Sequence, residues 1–239
     1  MRIFLAGATG VVGRRLAVLL HGAGHDVVGT TRTAGKMPWL GALGVTPVLV
    51  DALEASALAQ AVAAARPDIV IHQLTDLPSA PGTPGYPAAQ EANRRLRIEG
   101  TRNLMQAAGV AGVRRAIAQS IAFVYAPGEG ARTENDSLDL TAEGVRQLTV
   151  QGIVALEHET LLTPGIEGVV LRYGYLYGPD TWYPTPPKPP SVHVDAAALA
   201  ALLAVSKGAG VYNIAEEDGA VSSARARREL DFDPEFRIP

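Results

Sequence analysis

Three glycines near the amino terminus have the spacing of a loop that can bind an anion. Gly7, Gly10 and Gly13 form the pattern Gly-x-x-Gly-x-x-Gly, between an apolar strand predicted at Arg2–Ala6 and a helix predicted at Val11–His21. Glycine lets the backbone turn sharply and approach a phosphate, and the following helix offers free N–H groups and the positive end of its dipole. The pattern in this context predicts a site for the pyrophosphate of a nucleotide. A tight turn without a ligand is the alternative.

The end of the second predicted strand bears on which dinucleotide the loop would hold. An acidic residue there hydrogen-bonds the 2′-hydroxyl of NAD, whereas an arginine accommodates the 2′-phosphate of NADP. Here the strand runs into Arg32, with Lys36 close behind and no acidic residue between them. We predict NADP as the cofactor, with NAD as the alternative. A loop cation in solvent is the other interpretation of Arg32.

A third candidate, Asp51, closes the third predicted strand. It could cap a helix that begins at Glu54, because aspartate accepts hydrogen bonds from the free amides of a first helical turn. It is also placed to meet the edge of an adenine. The two roles are compatible, and both stay open at this point.

The elements that must position these residues alternate along the chain. The predicted strands are Arg2–Ala6, Asp26–Thr31, Thr46–Val50, Asp68–Gln73, Arg115–Ser120, Glu167–Arg172 and a late short strand at Val211–Ile214. The predicted helices are Val11–His21, Glu54–Ala65, Ala88–Ala108 and Ala142–Leu162. Strands that are apolar nearly throughout are typical of a parallel sheet covered on both faces. The order predicts an α/β fold, a doubly wound parallel (Rossmann) sheet with its ligand at the carboxyl ends of the strands.

Composition excludes several classes of function. The chain has 239 residues, 47% of them hydrophobic, no cysteine and a net charge of −3. The absence of cysteine excludes thiol catalysis and cysteine metal sites, and we predict no metal. The charge argues against nucleic acid as a partner, and no apolar run is long enough to span a membrane. We expect a cytoplasmic protein.

The predicted organisation has two parts. Residues 1–178 form the NAD(P)-binding domain, and residues 179–239 form a short region that completes the fold and borders the substrate cleft. Two proline-rich stretches, Pro78–Pro87 and Pro179–Pro190, can be neither helix nor central strand. Both closely follow strand ends, so we expect them to border the site, with plain surface linkers as the alternative.

Taken together, the motifs resemble the NAD-dependent epimerase/dehydratase family of extended short-chain dehydrogenase/reductases. The resemblance covers nearly the whole chain. The segments that carry it are GATGVVGRRL, the aspartate of VLVDAL, DIVIHQLTDL, NRRLRIEGTRNLMQAA, AIAQSIAFVYAPG, LRYGYLYGPD and SVHVDAAALAALL, in this order.

The resemblance implies roles for individual residues. The pyrophosphate loop and its backbone contacts would come from Gly7, Thr9, Gly10, Val11, Val12 and Gly13. Asp51 and Ala52 would flank the adenine, and Leu74 and Thr75 would line the ribose and nicotinamide side. Asn93 would tie its helix to the fourth strand, and Tyr173 would lie near the nicotinamide.

The catalytic set of the family is where this chain departs from the pattern. The family uses a Ser or Thr with a Tyr-x-x-x-Lys pair, in which the lysine lowers the pKa of the tyrosine. None of the three lysines stands four residues after a tyrosine, and alignment places Thr149 and Ile153 at the two positions. The candidates that remain for catalysis are Ser120, Tyr125 and Tyr173.

Three hypotheses for function follow. The first is an NADP(H)-dependent reductase of a small organic carbonyl or conjugated substrate that works without the usual Ser-Tyr-Lys set. The second is an inactive NADP-binding sensor or partner-binding protein, and the third a non-redox lyase, isomerase or cyclase. A homodimer through the helix at Ala142–Leu162 is one interpretation of its apolar residues, which would otherwise face the sheet.

Overall fold

The computed structural model describes residues 1–77, 80 and 82–238, and its centre is a parallel sheet of seven strands. The strands are β1 (Arg2–Ala6), β2 (Asp26–Thr31), β3 (Thr46–Leu49), β4 (Ile69–His72), β5 (Arg115–Ile121), β6 (Glu167–Tyr173) and β9 (Gly210–Ile214), all pairing in parallel. Their order in the sheet is β3-β2-β1-β4-β5-β6-β9. β7 (Tyr175–Tyr177) and β8 (Ser191–His193) form a separate two-stranded sheet.

Helices cover both faces of the sheet. They are α1 (Val11–Gly22), α2 (Met37–Ala42), α3 (Ala55–Ala65), α4 (Tyr86–Arg95), α5 (Thr101–Val110), α6 (Gly144–Leu162), α7 (Val194–Leu203) and α8 (Ala224–Leu230). Alternate side chains of β1 enter two different cores: Ile3 and Leu5 pack on the side of α1 and α7, whereas Phe4 and Ala6 pack on the side of α3 and α5. This two-sided burial explains the uninterrupted apolar strands.

The order of the strands reverses between β1 and β4. The chain moves outward from β1 to β2 and β3, then returns to place β4 on the other side of β1. Loops at the carboxyl ends of β1 and β4 therefore diverge and leave a crevice, which is where doubly wound sheets bind ligands. The predicted doubly wound fold is confirmed.

The sequence predicts one continuous helix at Ala88–Ala108, but the structure has two helices there. α4 and α5 are joined by a π-helical turn at Leu96–Gly100, so the backbone hydrogen bonds shift by one residue there. Such turns insert one extra residue and re-aim the side chains on either side. α4 also begins earlier than predicted, at Tyr86, with Pro87 in its first turn, where a missing N–H has no cost.

The residues after 178 are built into the same fold. β9 extends the central sheet by pairing with β6, and α7 packs against α1. The stretch at 179–190 contains neither helix nor strand, as predicted. In the first proline-rich stretch, Pro78, Ser79 and Pro81 lie outside the described residues. No helix in the described part of the chain is long and apolar enough to cross a membrane.

Candidate functional site

A cleft of about 210 Å³ opens at the carboxyl ends of β1, β2 and β4, at the point where the strand order reverses. Its lining is drawn from the loop after β1, the ends of β2, β3 and β4, and the π-helical turn. The lining residues are Gly7, Thr9, Gly10, Thr30, Thr31, Arg32, Lys36, Val50, Asp51, Ala52, Gln73, Leu74, Thr75 and Leu96. The structure thus brings together most of the residues that the sequence assigned to the cofactor.

The three glycines of the loop differ in why each position requires a residue without a side chain. Gly7 has a φ of +89°, and a Cβ there would lie 2.5 Å from the Gln73 carbonyl oxygen. A Cβ on Gly13 would lie 2.1 Å from the Gly7 carbonyl oxygen, so helix α1 could not pack against the loop. A Cβ on Gly10 would meet nothing closer than 3.4 Å. The chain itself has room for a side chain at Gly10, and that room faces the cleft.

The amino end of α1 is open to an anion. The helix has Gly10 as its N-cap, no side-chain cap and no acidic residue in its first turn. Its first hydrogen bond runs from the Arg14 N–H to the Gly10 carbonyl. The amides of Val11, Val12 and Gly13 precede it, and such first-turn amides have no partner within their helix. Val12 itself is buried in the core, so its contribution to a ligand is its backbone.

Gln73 carries a second sign that the cleft is built for a ligand. Its side-chain Oε1 is buried and has no hydrogen-bond partner among the described residues, although Gln73 lines the cleft. A buried acceptor without a partner is costly, so such atoms are nearly always satisfied in the functional state. Together with the room at Gly10, this acceptor fits a bound dinucleotide, which has donors to offer.

Arg32 lies at the end of the cleft that β2 and β3 form, and it is held by an ion pair. Its guanidinium donates to both carboxylate oxygens of Asp76, with an Nη2–Oδ1 distance of 3.0 Å and an Nη1–Oδ2 distance of 3.4 Å. The hydrogen bond to Asp76 raises the pKa of Arg32. Lys36 lines the same end of the cleft. A 2′-phosphate would meet two cations here, one of which is shared with Asp76.

Asp51 lines the cleft, but its predicted helix cap is wrong. The Oδ1 atom of Asp51 accepts a hydrogen bond from the Leu53 N–H at 2.9 Å, which closes a tight turn. α3 begins at Ala55, and Glu54, not Asp51, occupies its N-cap position. The physical reason is that an aspartate two residues before an amide satisfies that amide first. Ala52, which follows, is buried against the cleft.

The loop after β4 is fixed by two buried side chains. The Nδ1 atom of His72 accepts from the Leu74 N–H at 3.3 Å, and its Nε2 lies 2.9 Å from the Thr101 hydroxyl. Burial lowers the pKa of His72 to about 4, so the ring is neutral at pH 7. Asn93 accepts from the Asp76 N–H at 2.9 Å and ties α4 to this loop, as the family resemblance implied.

Tyr173 lies next to the cleft at the end of β6. It is buried, and its hydroxyl accepts a hydrogen bond from Gln73 Nε2 at 3.2 Å. Burial raises the pKa of Tyr173 far above its usual value, and no lysine or arginine in the described part of the chain opposes this effect. The phenol is therefore a weak acid. It can orient Gln73, but it is poorly suited to exchange a proton near neutral pH.

Ser120 and Tyr125 belong to a buried network instead of the cleft. The Ser120 hydroxyl donates to Glu157 Oε1 at 2.6 Å, and Arg172 binds both oxygens of Glu157 at 2.9 and 2.6 Å. Tyr125 accepts from Arg172 Nη1 at 2.8 Å and donates to Asn213 at 2.6 Å. Neither lines the cleft. Their predicted catalytic role is therefore not supported by this geometry, because each polar atom already serves the fold.

The electrostatics of this network favour a structural role. Burial opposes the charge on Arg172, but the hydrogen bonds and charge of Glu157 outweigh it and raise the pKa of Arg172 overall. The side chains of Arg172 and Glu157 are 5% and 8% exposed, so the pair is almost fully desolvated. Burial raises the pKa of Tyr125, although Arg172 works against it. A desolvated pair of this kind is costly to break.

Thr149 and Ile153, which the sequence alignment places at the family's tyrosine and lysine positions, both lie on α6. The Thr149 hydroxyl donates to Gln90 Oε1 at 2.9 Å, which joins α6 to α4. Ile153 is fully buried and packs with Val124 and Val150. Neither side chain can act as an acid near neutral pH or lower the pKa of a neighbouring phenol. The structure thus has a hydroxyl–amide hydrogen bond at one of these positions and a buried aliphatic side chain at the other.

Sequence patterns do not identify two residues of this region. Gln73 ends a predicted strand, and its position at the carboxyl end of that strand is the one signal that it lines the cleft. Arg97, in the π-helical turn, is 5% exposed, and burial lowers its pKa to about 10. Its aliphatic chain packs over Gly152 of α6, where an added Cβ would lie 3.1 Å from Arg97 Cδ. No carboxylate among the described residues pairs with it.

Comparison with known proteins agrees with this architecture. A model described as the NAD dependent epimerase/dehydratase family matches residues 3–207. A curated Streptomyces protein named 3-diazoavenalumate denitrifying reductase is 38% identical over 235 residues, covering 97% of this chain and 73% of that protein.

Solved structures show the same fold at low identity. The UDP-glucose 4-epimerase of Thermotoga maritima, with UDP-glucose, superposes with a TM-score of 0.80 at 17% identity. The match covers 99% of this chain and 94% of the epimerase chain. The UDP-glucose 4-epimerase of Thermus thermophilus, in complex with NAD, superposes with a TM-score of 0.79 at 18% identity. This match covers 100% of this chain and 95% of the epimerase chain.

The doubly wound sheet and its glycine-lined cleft at the switch point define a dinucleotide-binding α/β protein. Since the family model spans most of the chain and a relative is 38% identical over nearly all of it, this chain belongs to the NAD-dependent epimerase/dehydratase family.

Proposed function

We propose that this protein is a reductase that uses NADPH in preference to NADH and reduces a small organic electrophile without a Tyr–Lys pair. One observation carries the proposal. The cleft retains the glycine loop, the open end of α1 and the unsatisfied acceptor on Gln73, whereas Thr149 and Ile153 replace the proton-transfer pair. In this proposal the cleft still binds the dinucleotide, but the protein has no Tyr–Lys pair to transfer a proton to the substrate.

The residues of the cleft have defined tasks in this proposal. Gly10 admits the pyrophosphate to the amides at the start of α1, and Gln73 hydrogen-bonds the nicotinamide half. His72 and Asn93 hold the loop after β4 in place. The bound cofactor supplies a hydride, and alignment of donor and acceptor in a closed cleft is the main protein contribution to such a reaction.

The missing acid narrows the class of acceptor. A ketone that accepts a hydride also needs a proton on its oxygen. Tyr173, whose pKa is raised by burial, is a poor source of that proton, and Thr149 is not an acid. An acceptor that needs no proton after hydride transfer fits better, because the protein then has only to bind and orient it.

A carbon-bound diazonium group is such an acceptor, whereas a neutral diazo carbon would also need a proton. The 38% identical relative is named 3-diazoavenalumate denitrifying reductase. For a carbon-bound diazonium group, the hydride pair forms the new C–H bond. The C–N bond breaks, and its electron pair leaves with N₂. The positive charge of the diazonium cancels the charge of the hydride, so no proton is consumed. We therefore place compounds that react as a diazonium first among the substrates and conjugated or carbonyl compounds second.

The preference for NADPH rests on the adenosine end of the cleft. Arg32 and Lys36 supply two positive charges there, and Arg is suited to bind a phosphate through two parallel hydrogen bonds. Asp76 competes for Arg32, so a 2′-phosphate must share or displace that carboxylate. The preference is accordingly expected to be moderate.

Turnover with a panel of acceptors tests the proposal. The protein is incubated with NADPH and a diazobenzoate, a quinone, an enone or a ketone. Cofactor oxidation is followed at 340 nm, and product and N₂ are followed by mass spectrometry. We expect one N₂ per NADPH with the diazo compound, and none above background with a Gly10→Val variant. Equal rates for the two proteins, or reduction of no acceptor at all, would refute the proposal.

A further inference from the structure

The carboxylate of Asp76 lies at a place where the local sequence has no acidic residue. Arg32 directly follows β2, and the stretch from Arg32 to Lys36 contains no aspartate or glutamate. Asp76 comes four residues after the end of β4, yet it holds both carboxylate oxygens against the Arg32 guanidinium, with the nearer oxygen at 3.0 Å. The fold thus brings an acidic group from a distant loop to the end of β2.

This ion pair bridges the cleft across β1. β1 pairs with β2 on one side and with β4 on the other, so about 10 Å separates the two outer strands. The Arg32 side chain therefore extends over the carboxyl end of β1 to reach Asp76. The glycine loop begins at this end, and the lining of the cleft there includes Arg32 on one side and Thr75 on the other. A dinucleotide that lies over the glycine loop has both members of the pair within its reach.

The backbone of Asp76 is fixed, but its carboxylate remains available to a ligand. The Asp76 N–H donates to Asn93 Oδ1 at 2.9 Å, which ties the residue to α4. The side chains of Arg32 and Asp76 are 46% and 27% exposed. Exposed ion pairs contribute little to stability, so a ligand can rearrange this one. Each carboxylate oxygen also has two lone pairs, so Asp76 can accept a further hydrogen bond while it stays paired with Arg32.

The two charges of this pair favour different substituents on a ribose. A carboxylate accepts a hydrogen bond from a 2′-hydroxyl, whereas it repels a 2′-phosphate. A guanidinium binds a phosphate through two parallel hydrogen bonds. The phosphate of NADP must therefore take Arg32 from Asp76. The hydroxyl of NAD can donate to Asp76 and leave the ion pair intact.

We propose that Asp76 is a specificity-determining residue that accepts a hydrogen bond from the adenosine 2′-hydroxyl of NAD(H), so that the cleft binds NAD(H) as well as NADP(H). This assignment rests on the proposed function, in which the cleft holds a nicotinamide dinucleotide. Arg32 favours the phosphorylated cofactor, and Asp76 favours the cofactor without the phosphate. The preference for NADPH is moderate because the two groups occupy one place in the cleft.

Calorimetric titration of NAD⁺ and NADP⁺ into an Asp76→Ala variant tests this role without turnover. The substitution removes the carboxylate and leaves the backbone N–H that bonds Asn93. We expect NAD⁺ to bind about tenfold more weakly than to the wild-type protein, because a hydrogen bond to a charged group is lost. NADP⁺ should bind more tightly, because its phosphate no longer competes for Arg32. Unchanged or tighter binding of NAD⁺ would overturn the proposal.

An analogue of NAD⁺ without the adenosine 2′-hydroxyl identifies the group that Asp76 binds. The wild-type protein should bind NAD⁺ about tenfold more tightly than 2′-deoxy-NAD⁺, and Asp76→Ala should bind the two within twofold of each other. Glu54→Gln is the matched control, because it removes an exposed carboxylate three residues after Asp51 that does not line the cleft, and it should change neither affinity by more than twofold. A tenfold preference for NAD⁺ that persists in Asp76→Ala would contradict the contact.

The proposed function and the role of Asp76 can fail separately. Opposite changes in NAD⁺ and NADP⁺ affinity in Asp76→Ala, without reduction of any acceptor, would refute the reductase and support the role of Asp76. Reduction of an acceptor by NADPH, with the same change in both affinities in Asp76→Ala, would refute the role of Asp76 and leave the reductase. Failure of both nucleotides to bind the wild-type protein would refute the two together.

Discussion

Replacement of Gly10 by valine separates nucleotide binding from folding. The two other loop glycines are needed by the chain itself, because a Cβ at either would meet a backbone atom at 2.5 Å or less. At Gly10 the nearest atom to a built Cβ is the Gly7 carbonyl oxygen at 3.4 Å, which is ordinary contact. The backbone there, with φ −73° and ψ 171°, is open to any residue. Valine should therefore fold normally and fill only the space of the pyrophosphate.

The expected magnitude follows from the bonds that the pyrophosphate would lose. Hydrogen bonds to a charged group contribute about 1.5–3 kcal/mol each, and a displaced pyrophosphate loses at least one. A loss of about 3 kcal/mol corresponds to a roughly 100-fold increase in Kd. The cost to folding is smaller, about 1 kcal/mol for a poorer N-cap residue, or a Tm lower by about 2–4 °C.

Calorimetric titration with NADP⁺ and a thermal melt of the same samples measure both quantities. Gly13→Ala is the contrasting variant, because its Cβ would lie 2.1 Å from the Gly7 carbonyl oxygen and must displace the backbone. We expect Gly13→Ala to lose stability and Gly10→Val to lose binding. Unchanged NADP⁺ affinity in Gly10→Val would refute the assignment of this loop to the pyrophosphate. A Tm for Gly10→Val as low as that of Gly13→Ala would refute the structural argument.

Three other changes test the rest of the account. Arg32→Ala should weaken the binding of NADP⁺ at least tenfold and that of NAD⁺ less than threefold in the same titration. Asp76→Asn, which frees Arg32 from its ion pair, should strengthen the binding of NADP⁺. Equal effects of these changes on the two nucleotides would show that Arg32 does not bind the 2′-phosphate. Ser120→Ala should cost about 1.5–3 kcal/mol of unfolding free energy in urea and leave kcat unchanged, because its hydroxyl serves Glu157; a lost kcat at unchanged stability would restore its catalytic role. Burial lowers the pKa of His72 to about 4 in the folded state, whereas the pKa in the unfolded chain is near 6.5. The free energy of unfolding should therefore be at its full value above pH 6.5 and fall by about 3 kcal/mol as the pH is lowered to 4. Denaturation curves in which the His72→Gln variant loses as much stability over this pH range would contradict this.

The parts of the fold that could be predicted from sequence have local causes. The strand Arg2–Ala6 is an uninterrupted apolar run that ends at a glycine, and β1 has the same bounds. The π-helical turn at Leu96–Gly100 could not be predicted, since it shifts backbone hydrogen bonds without a change in apolar spacing. β7 and β8 are three residues each, too short for a periodic pattern, and depend on pairing between segments that are distant along the chain.

The candidate site divides in the same way. Gly7, Gly10 and Gly13 could be found from spacing, because one loop carries both the geometry and the function. The Arg32–Asp76 pair joins residues 44 positions apart, and only the order of the strands brings them together. The involvement of Ser120 with Glu157 likewise depends on how α6 packs on β5, which no local pattern records. Contacts between distant segments are what sequence patterns leave out.

The most direct test of the central claim is the fate of the cofactor hydrogen. An aryl diazonium acceptor is reduced with NADPH deuterated at C4 on one face, then on the other, and in a third reaction with unlabelled NADPH in D₂O. A reductase that needs no proton donor should place deuterium in the product from one labelled cofactor only and none from D₂O. Deuterium taken from the solvent, or in equal amounts from the two labelled cofactors, would contradict the account.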